Sequence, residues 1–278
     1  ITTNPDRQLF TPVGLTTSTS GLTYYDGGLF QEPYGSMTTF VAESVSNLVH
    51  SDRLEERGGT YRAMRHSSKE EFLASTDSWA RPVNLYVGPD GALYVLDYYR
   101  RIIEHPEWMS DEAIESGDLY DGYNMGRIYR VTPEGAGKAE WTQGLDLGSK
   151  TSMELVEVLE SENGWWRRHA QRMLVDRVDA SVLEELEAKV VSGKTAMGRL
   201  HALWTLEGIN RLGIETIQQA LQDKEGGVRE NAIRLAEKHM NASPSLTEDL
   251  YAMADDVAVK VRFQLLLTLG ELDTPKTR

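Results

Sequence analysis

The sequence contains no cysteine. That excludes disulfides, thiolate zinc sites, iron–sulfur clusters, a Cys nucleophile and the C-x-x-C-H haem attachment from this chain. No run approaches the roughly 18 apolar residues of a membrane span. Positive charge is scarce: 29 Lys and Arg stand against 43 Asp and Glu, a formal net charge of −14. A phosphate-backbone partner requires a basic face, so nucleic acid is not expected. The deficit runs through the whole chain, with 11 basic and 20 acidic residues in 1–135 and 18 and 23 in the rest. No Walker loop, dinucleotide fingerprint or Ser–His–Asp ordering stands out. The chain starts on Ile with no charged-then-apolar leader, from which a fragment or a processed product of a longer protein is expected.

What is present falls into two patterns, and 278 residues suffice for two domains. Residues 1–135 are rich in Gly, Tyr, Thr and Ser, with short apolar runs. Tyr24 and Tyr25 precede a turn at Asp26-Gly27-Gly28, and strands are predicted at Thr38–Glu43, Asn47–His50, Tyr61–Met64 and Gly126–Val131. The most informative stretch is 81–108, RPVNLYVGPDGALYVLDYYRRIIEHPEW. Val83, Leu85 and Val87 alternate with Asn84 and Tyr86, the period of a strand with two faces. Pro89-Asp90-Gly91 supplies a turn, and Leu93–Leu96 a second strand. Beyond it Asp97, Tyr98, Tyr99, Arg100, Arg101, Glu104 and His105 crowd together, either as binding chemistry past a strand end or as a solvated loop. FVAE and LYVLD read as the same strand about fifty residues apart, a spacing that suits a four-stranded propeller blade, unless two ordinary apolar strands coincide.

From residue 151 onward apolar residues recur every three to four positions, as in Met153, Val156 and Leu159, or Leu183, Leu186 and Val190. Here the segments WRRHAQRM, GRLHALWT, VRENAIRL and VRFQLLLT align on Arg167, Arg199, Arg229 and Arg262, at intervals of 32, 30 and 33 residues. That length fits a helix pair with two turns, and such pairs bury their apolar faces only by stacking. The arginines are expected to bond the turn of the next repeat, and Trp165, Trp166 and Trp204 to pack between helices. The expected architecture is a β + α chain: residues 1–135 a partial β-propeller of the last two or three blades, 136–150 a linker, and 151–278 an α-solenoid of about four HEAT-like repeats.

The order FVAESVSNLVHSDRLE, RPVNLYVGPDGALYVLDYYRRIIEHPEW, GRIYRVTPEG and LESENGWWRRHAQRMLV resembles the large exported "membrane-bound dehydrogenase" proteins of planctomycetes and verrucomicrobia. Those join a propeller similar to glucose and sorbosone dehydrogenases to HEAT repeats, and often to a c-type cytochrome domain. The resemblance implies a periplasmic or otherwise exported oxidoreductase acting on a sugar, with PQQ accepting the hydride and Ca²⁺ beside it. A c-type haem would belong only to a domain absent from this chain. By this resemblance Arg81, at the start of a blade's inner strand, faces the channel and holds the quinone's carboxylates. The alternative is a surface salt bridge. His105 is a general base or a structural loop histidine, and His50 is its match in the preceding blade. Asp97 ligates Ca²⁺ or caps a turn. Tyr98 and Tyr99 stack on a sugar or cofactor or pack in the core, and Asn84 and Arg100 complete the candidate binding set. The rival reading is non-catalytic: a carbohydrate- or protein-binding propeller beside a helical scaffold that takes a protein partner. An enzyme requires Arg81, Asp97 and His105 to converge, whereas a scaffold leaves them dispersed.

Overall fold

The computed structural model describes residues 18–103, 105–137, 145–241 and 243–272. Residues 1–17 of the expected β part, 138–144 of the expected linker and 273–278 of the expected solenoid lie outside the described residues. Antiparallel sheets come first and eight helices follow, among the described residues. The chain divides into two compact units, residues 1–55 with 62–140 and residues 56–61 with 141–278.

The first sheet orders β1 (Thr19–Tyr24), β2 (Thr38–Glu43), β3 (Leu48–Arg57) and β4 (Thr60–Arg65), with the short β5 (Leu73–Ala74) pairing the start of β3. The second orders β6 (Pro82–Val87), β7 (Leu93–Asp97) and β8 (Arg127–Val131). A five-residue helix, α1 (Asp111–Glu115), lies in the connection from β7 to β8. FVAE and LYVLD thus hold the same place, each the second strand of its sheet. The predicted second strand starts one residue late, because Asn47 takes a left-handed turn at φ +58 and β3 begins at Leu48.

The β6–β7 hairpin forms as its pattern predicts. Leu85, Val87, Leu93 and Val95 enter the core while Tyr86 faces out. At the turn Gly91 has φ +79, and an added Cβ would lie 2.6 Å from the Gly27 carbonyl oxygen, so only glycine fits. Tyr25 is the keystone of this core. Its ring stacks on Phe30 at 4.5 Å and meets Phe40 edge-on. Its buried hydroxyl donates to the Gly91 carbonyl (2.8 Å) and accepts from the amides of Leu29 (3.0 Å) and Phe30 (2.8 Å). One phenol therefore joins the loop after β1 to the hairpin turn.

The helical unit comprises α2 (Ser152–Val158), α3 (Gly164–Arg177), α4 (Leu183–Ser192), α5 (Ala196–Gly208), α6 (Ile214–Ala220), α7 (Gly226–Ala236), α8 (Pro244–Ala252) and α9 (Val259–Gly270). α3, α5, α7 and α9 pack in succession, and α2, α4, α6 and α8 form a second row. Helix starts are marked by side-chain caps: Thr151 with Glu154 in a capping box, then Asn163, Thr195 and Ser243. Between the rows lie fully buried Leu155, Leu159, Leu186, Leu203, Leu206, Ile217 and Ile233. Each such side chain contributes about 1.5–3 kcal/mol of burial. Trp165, Trp166 and Trp204 pack against this core. No helix among the described residues is long and apolar enough to cross a membrane.

The aligned arginines fasten successive turns. Arg199 donates to both oxygens of Asp223 (2.5 and 2.9 Å) and to the Gly193 carbonyl (2.9 Å). Arg229 does the same to Asp256 (2.7 and 2.7 Å) and to the Asp223 carbonyl (2.7 Å). Burial pushes the Asp223 carboxyl up, but the bond from Arg199 and neighbouring donors outweigh it and hold it below the usual carboxylate range. Asp256 is held low chiefly by its bond from Arg229.

Candidate functional site

Asp97 closes β7 and is 3% exposed. Its Oδ1 accepts from the amides of Arg81 (2.7 Å) and Tyr99 (2.8 Å), and its Oδ2 from the Tyr129 hydroxyl (3.3 Å). Glu43 closes β2 in the same manner and is fully buried. It accepts from the amides of Ser18 (2.9 Å) and Ser46. Ser18 directly precedes β1, and Arg81 directly precedes β6. In each sheet a carboxylate at the end of the second strand clasps the residue that leads into the first. Asp97 is thus a backbone clasp, with two amides on one oxygen and the Tyr129 hydroxyl on the other.

Arg81 is 7% exposed. Its Nε donates to the Arg100 carbonyl (2.9 Å), Nη1 to the Ser44 carbonyl (3.1 Å) and Nη2 to the Arg101 carbonyl (2.8 Å). Burial draws its pKa down, against the opposing charges of Asp97, Glu43 and Asp77. Every nitrogen of this guanidinium is engaged with backbone, and the residue is buried. It pins the loop after β7 to the loop after β2.

Arg100 closes the connection from β7 to β8 upon itself. Nη1 donates to the carbonyls of Tyr99 (3.0 Å) and Gly122, and Nη2 to that of Tyr123 (2.9 Å). Its guanidinium also lies over the Tyr98 ring, 4.4 Å from the centroid. Arg101 pairs with Asp118 (2.8 Å) and Asp121 (3.3 Å) in the same connection. Tyr99 donates to Asp77 (2.9 Å), a bond that raises its pKa, and lies beneath Arg127 at 3.7 Å. Its ring also lies 5.9 Å from that of Trp79.

The remaining candidates stand elsewhere. Asn84 accepts from the Leu85 amide (2.8 Å) and donates to the Tyr86 hydroxyl (2.9 Å). Its Cα lies where a Cβ on Gly21 would approach to 2.5 Å, so β1 and β6 come into close contact. His50 lies within β3 between Glu71 (2.6 Å) and Asp52 (3.1 Å). Burial pushes the Glu71 carboxyl up, but bonds from His50 and Arg65 outweigh it and leave it low. His105 is an exposed residue whose Nδ1 accepts from the Glu107 amide (3.4 Å), capping a short turn. His50 and His105 are not matching positions, since one is in a strand and the other in the connection preceding β8. Arg81, Asp97 and Arg100 share one bonded network. No hydrogen bond or ion pair among the described residues joins His50, His105 or Asn84 to it.

Beside this network opens a cleft of about 800 Å³. Ser18, Thr19, Ser20, Tyr98, Tyr120 and Tyr123 are among its lining residues, with Ser44 and Arg100. The three tyrosines are half or more exposed. The Ser20 hydroxyl is buried and has no hydrogen-bond partner among the described residues. Only Tyr98 and Arg100 of this lining were foreseen. The signal for the rest was faint: Tyr120 and Tyr123 sit in DLYDGYN, a turn-rich aromatic segment with no period.

The arrangement sets aromatic rings beside polar and aliphatic side chains in one open cleft. Among the described residues no group of three or more His, Asp or Glu side chains is placed to hold a metal ion. Of the residues expected to hold PQQ and Ca²⁺, Arg81 and Asp97 bond the backbone of neighbouring segments. By fold and site the chain is a β-sheet unit with an open, tyrosine-lined cleft, followed by a helical unit. A family described as a domain of unknown function, DUF7133, matches residues 2–135, or 134 of the 278. No curated protein matches the chain.

Proposed function

We propose that the chain is a binding module of the propeller–HEAT kind. In this reading the β unit is the closing part of a β-propeller and takes a carbohydrate in its tyrosine-lined cleft. The helical unit is a HEAT-type solenoid that takes a protein partner. The exported setting and the sugar come from the family resemblance. The propeller reading is supported by two antiparallel sheets whose first strands touch and whose second strands end in equivalent carboxylate clasps. The solenoid reading is supported by the 32-, 30- and 33-residue spacing of arginines and their carboxylate partners in the next turn.

One observation carries the choice of a binder over a dehydrogenase. The guanidinium of Arg81 and the carboxylate of Asp97 bond backbone, while exposed Tyr98, Tyr120 and Tyr123 line one cleft with Ser18, Thr19, Ile102, Ile103 and Leu119. A sugar presents hydroxyl edges and apolar C–H faces, which hydroxyl groups and aromatic rings complement. The test is calorimetric titration of neutral mono- and oligosaccharides into the protein. Saturable binding is expected, weakened about tenfold or more by Tyr120→Ala or Tyr123→Ala with an unchanged melting temperature. Absence of binding across the sugars, or binding indifferent to both substitutions, would sink the reading.

A further inference from the structure

Most arginines of the second sheet and its connections are committed to partners. Arg81 and Arg100 donate to backbone carbonyls, Arg101 pairs with Asp118 and Asp121, and Arg130 pairs with Asp90 (2.6 Å). Arg127, the first residue of β8, differs. It is exposed, and no carboxylate among the described residues lies within 4 Å of its guanidinium. It is held in place all the same. Its Nε donates to the Met125 carbonyl (3.1 Å), and the guanidinium rests over the Tyr99 ring, whose hydroxyl is tied to Asp77. Asp97 and Tyr129 lie near enough to act on its charge, but Asp97 is already occupied by the amides of Arg81 and Tyr99 and by the Tyr129 hydroxyl.

This fixed cation lines a second cleft, of about 350 Å³, in which Val83, Leu96 and Ile128 supply apolar wall. Val83, Tyr98, Arg100 and Tyr123 line both this cleft and the one of about 800 Å³ described above, so the two adjoin across the same side chains. Clefts of about 300–1,000 Å³ accommodate drug-sized molecules, so the pair has room for more than one sugar ring. Their linings differ. Four serine and threonine residues line the first, whereas none is among the lining residues of the second, where Arg127 stands beside Leu96 and Ile128.

We propose that the second cleft is a subsite for an acidic sugar, a hexuronate ring of an oligosaccharide whose neighbouring ring occupies the first cleft. The inference rests on the carbohydrate reading of that cleft and adds the charge class of the sugar. The uronate carboxylate meets the Arg127 guanidinium, whose planar fork matches it. The C–H face of the same ring lies along Leu96 and Ile128. A small hydrated anion gains nothing from those apolar walls, and the net charge of −14 repels anions at large. An anion is therefore retained only where a fixed cation and a fitted wall act on one molecule.

The probes are trigalacturonate and its methyl ester, which share one backbone and differ in charge. Each is titrated calorimetrically into the whole chain at fixed ionic strength. The acid is expected to bind about tenfold or more tighter than the ester. Arg127→Gln should abolish that preference and leave the ester's affinity unchanged, with thermal melts checking that the fold is kept. A merely structural role of Arg127 would weaken acid and ester alike. Equal affinity for acid and ester, or a preference that survives Arg127→Gln, would overturn the acidic subsite and leave the carbohydrate reading standing. So would silence from both probes while neutral sugars bind in a manner sensitive to Tyr120→Ala. Silence from both probes and from the neutral sugars would remove the carbohydrate reading and the subsite with it.

Discussion

The two units use arginine differently. In the helical unit Arg199 and Arg229 face carboxylates, so each charge is neutralised by a partner one turn along the stack. In the β unit Arg81 is buried and bonds only carbonyl oxygens, with Asp97 and Glu43 acting on it at longer range. A bidentate ion pair replaces water on both charges at once. A buried guanidinium on carbonyls instead binds together two loops, after β2 and after β7, that have no regular secondary structure of their own. The first arrangement repeats and can be extended. The second is a single knot, and its loss exposes three acceptors together.

That contrast sets an order of effects. The largest is expected from Arg81→Ala, which strands the carbonyls of Ser44, Arg100 and Arg101 in a closed site at a cost of about 3–5 kcal/mol. Arg229→Ala, whose pair is reached by solvent, should cost about 1–3 kcal/mol. Urea denaturation of the two variants compares them directly, and a larger loss at Arg229 would reverse the comparison. Tyr25→Phe keeps the stacked ring but strands the amides of Leu29 and Phe30 and the Gly91 carbonyl. About 1–3 kcal/mol is expected, read in the same titration.

Acid sharpens the difference further. Asp223 and Asp256 are held below their ordinary range in the folded state, so the unfolded chain binds their protons first as pH falls. Their stabilisation is complete above about pH 4, the unfolded carboxylate value, and is lost as pH drops through the lowered folded values. The double change Asp223→Asn with Asp256→Asn should flatten stability between about pH 5 and 3. An unaltered slope would remove the ion pairs from the account. The smallest effect is expected at His105→Ala. The exposed ring caps one short turn, and a change under about 0.5 kcal/mol is predicted by thermal melting.

How far the sequence could be read follows from the same contrast. The β6–β7 hairpin was legible because alternation and Pro89-Asp90-Gly91 are local, and the arginine spacing because a repeat states itself several times. Arg199 and Arg229 bond the next turn as that spacing implied. The two-residue β5 was too short to show a period. The role of Arg81 was hidden for another reason. Its partners lie 19, 37 and 20 residues away in irregular segments, and carbonyl acceptors leave no trace in side-chain identity. Asp97 stayed ambiguous for a like reason, since a strand-ending carboxylate has the same letter whether it binds a cation or two amides. The clue lay in Glu43, which ends FVAE as Asp97 ends LYVLD.

The central claim is that the buried charges of the β unit are framework. Calorimetric titration of PQQ with Ca²⁺ into the protein, repeated with Arg81→Lys, tests it most directly. The account predicts no PQQ binding by the native chain and a lowered melting temperature for Arg81→Lys, whose single ammonium cannot reproduce the three-way fork. One-to-one PQQ binding that disappears in Arg81→Lys at an unchanged melting temperature would contradict it.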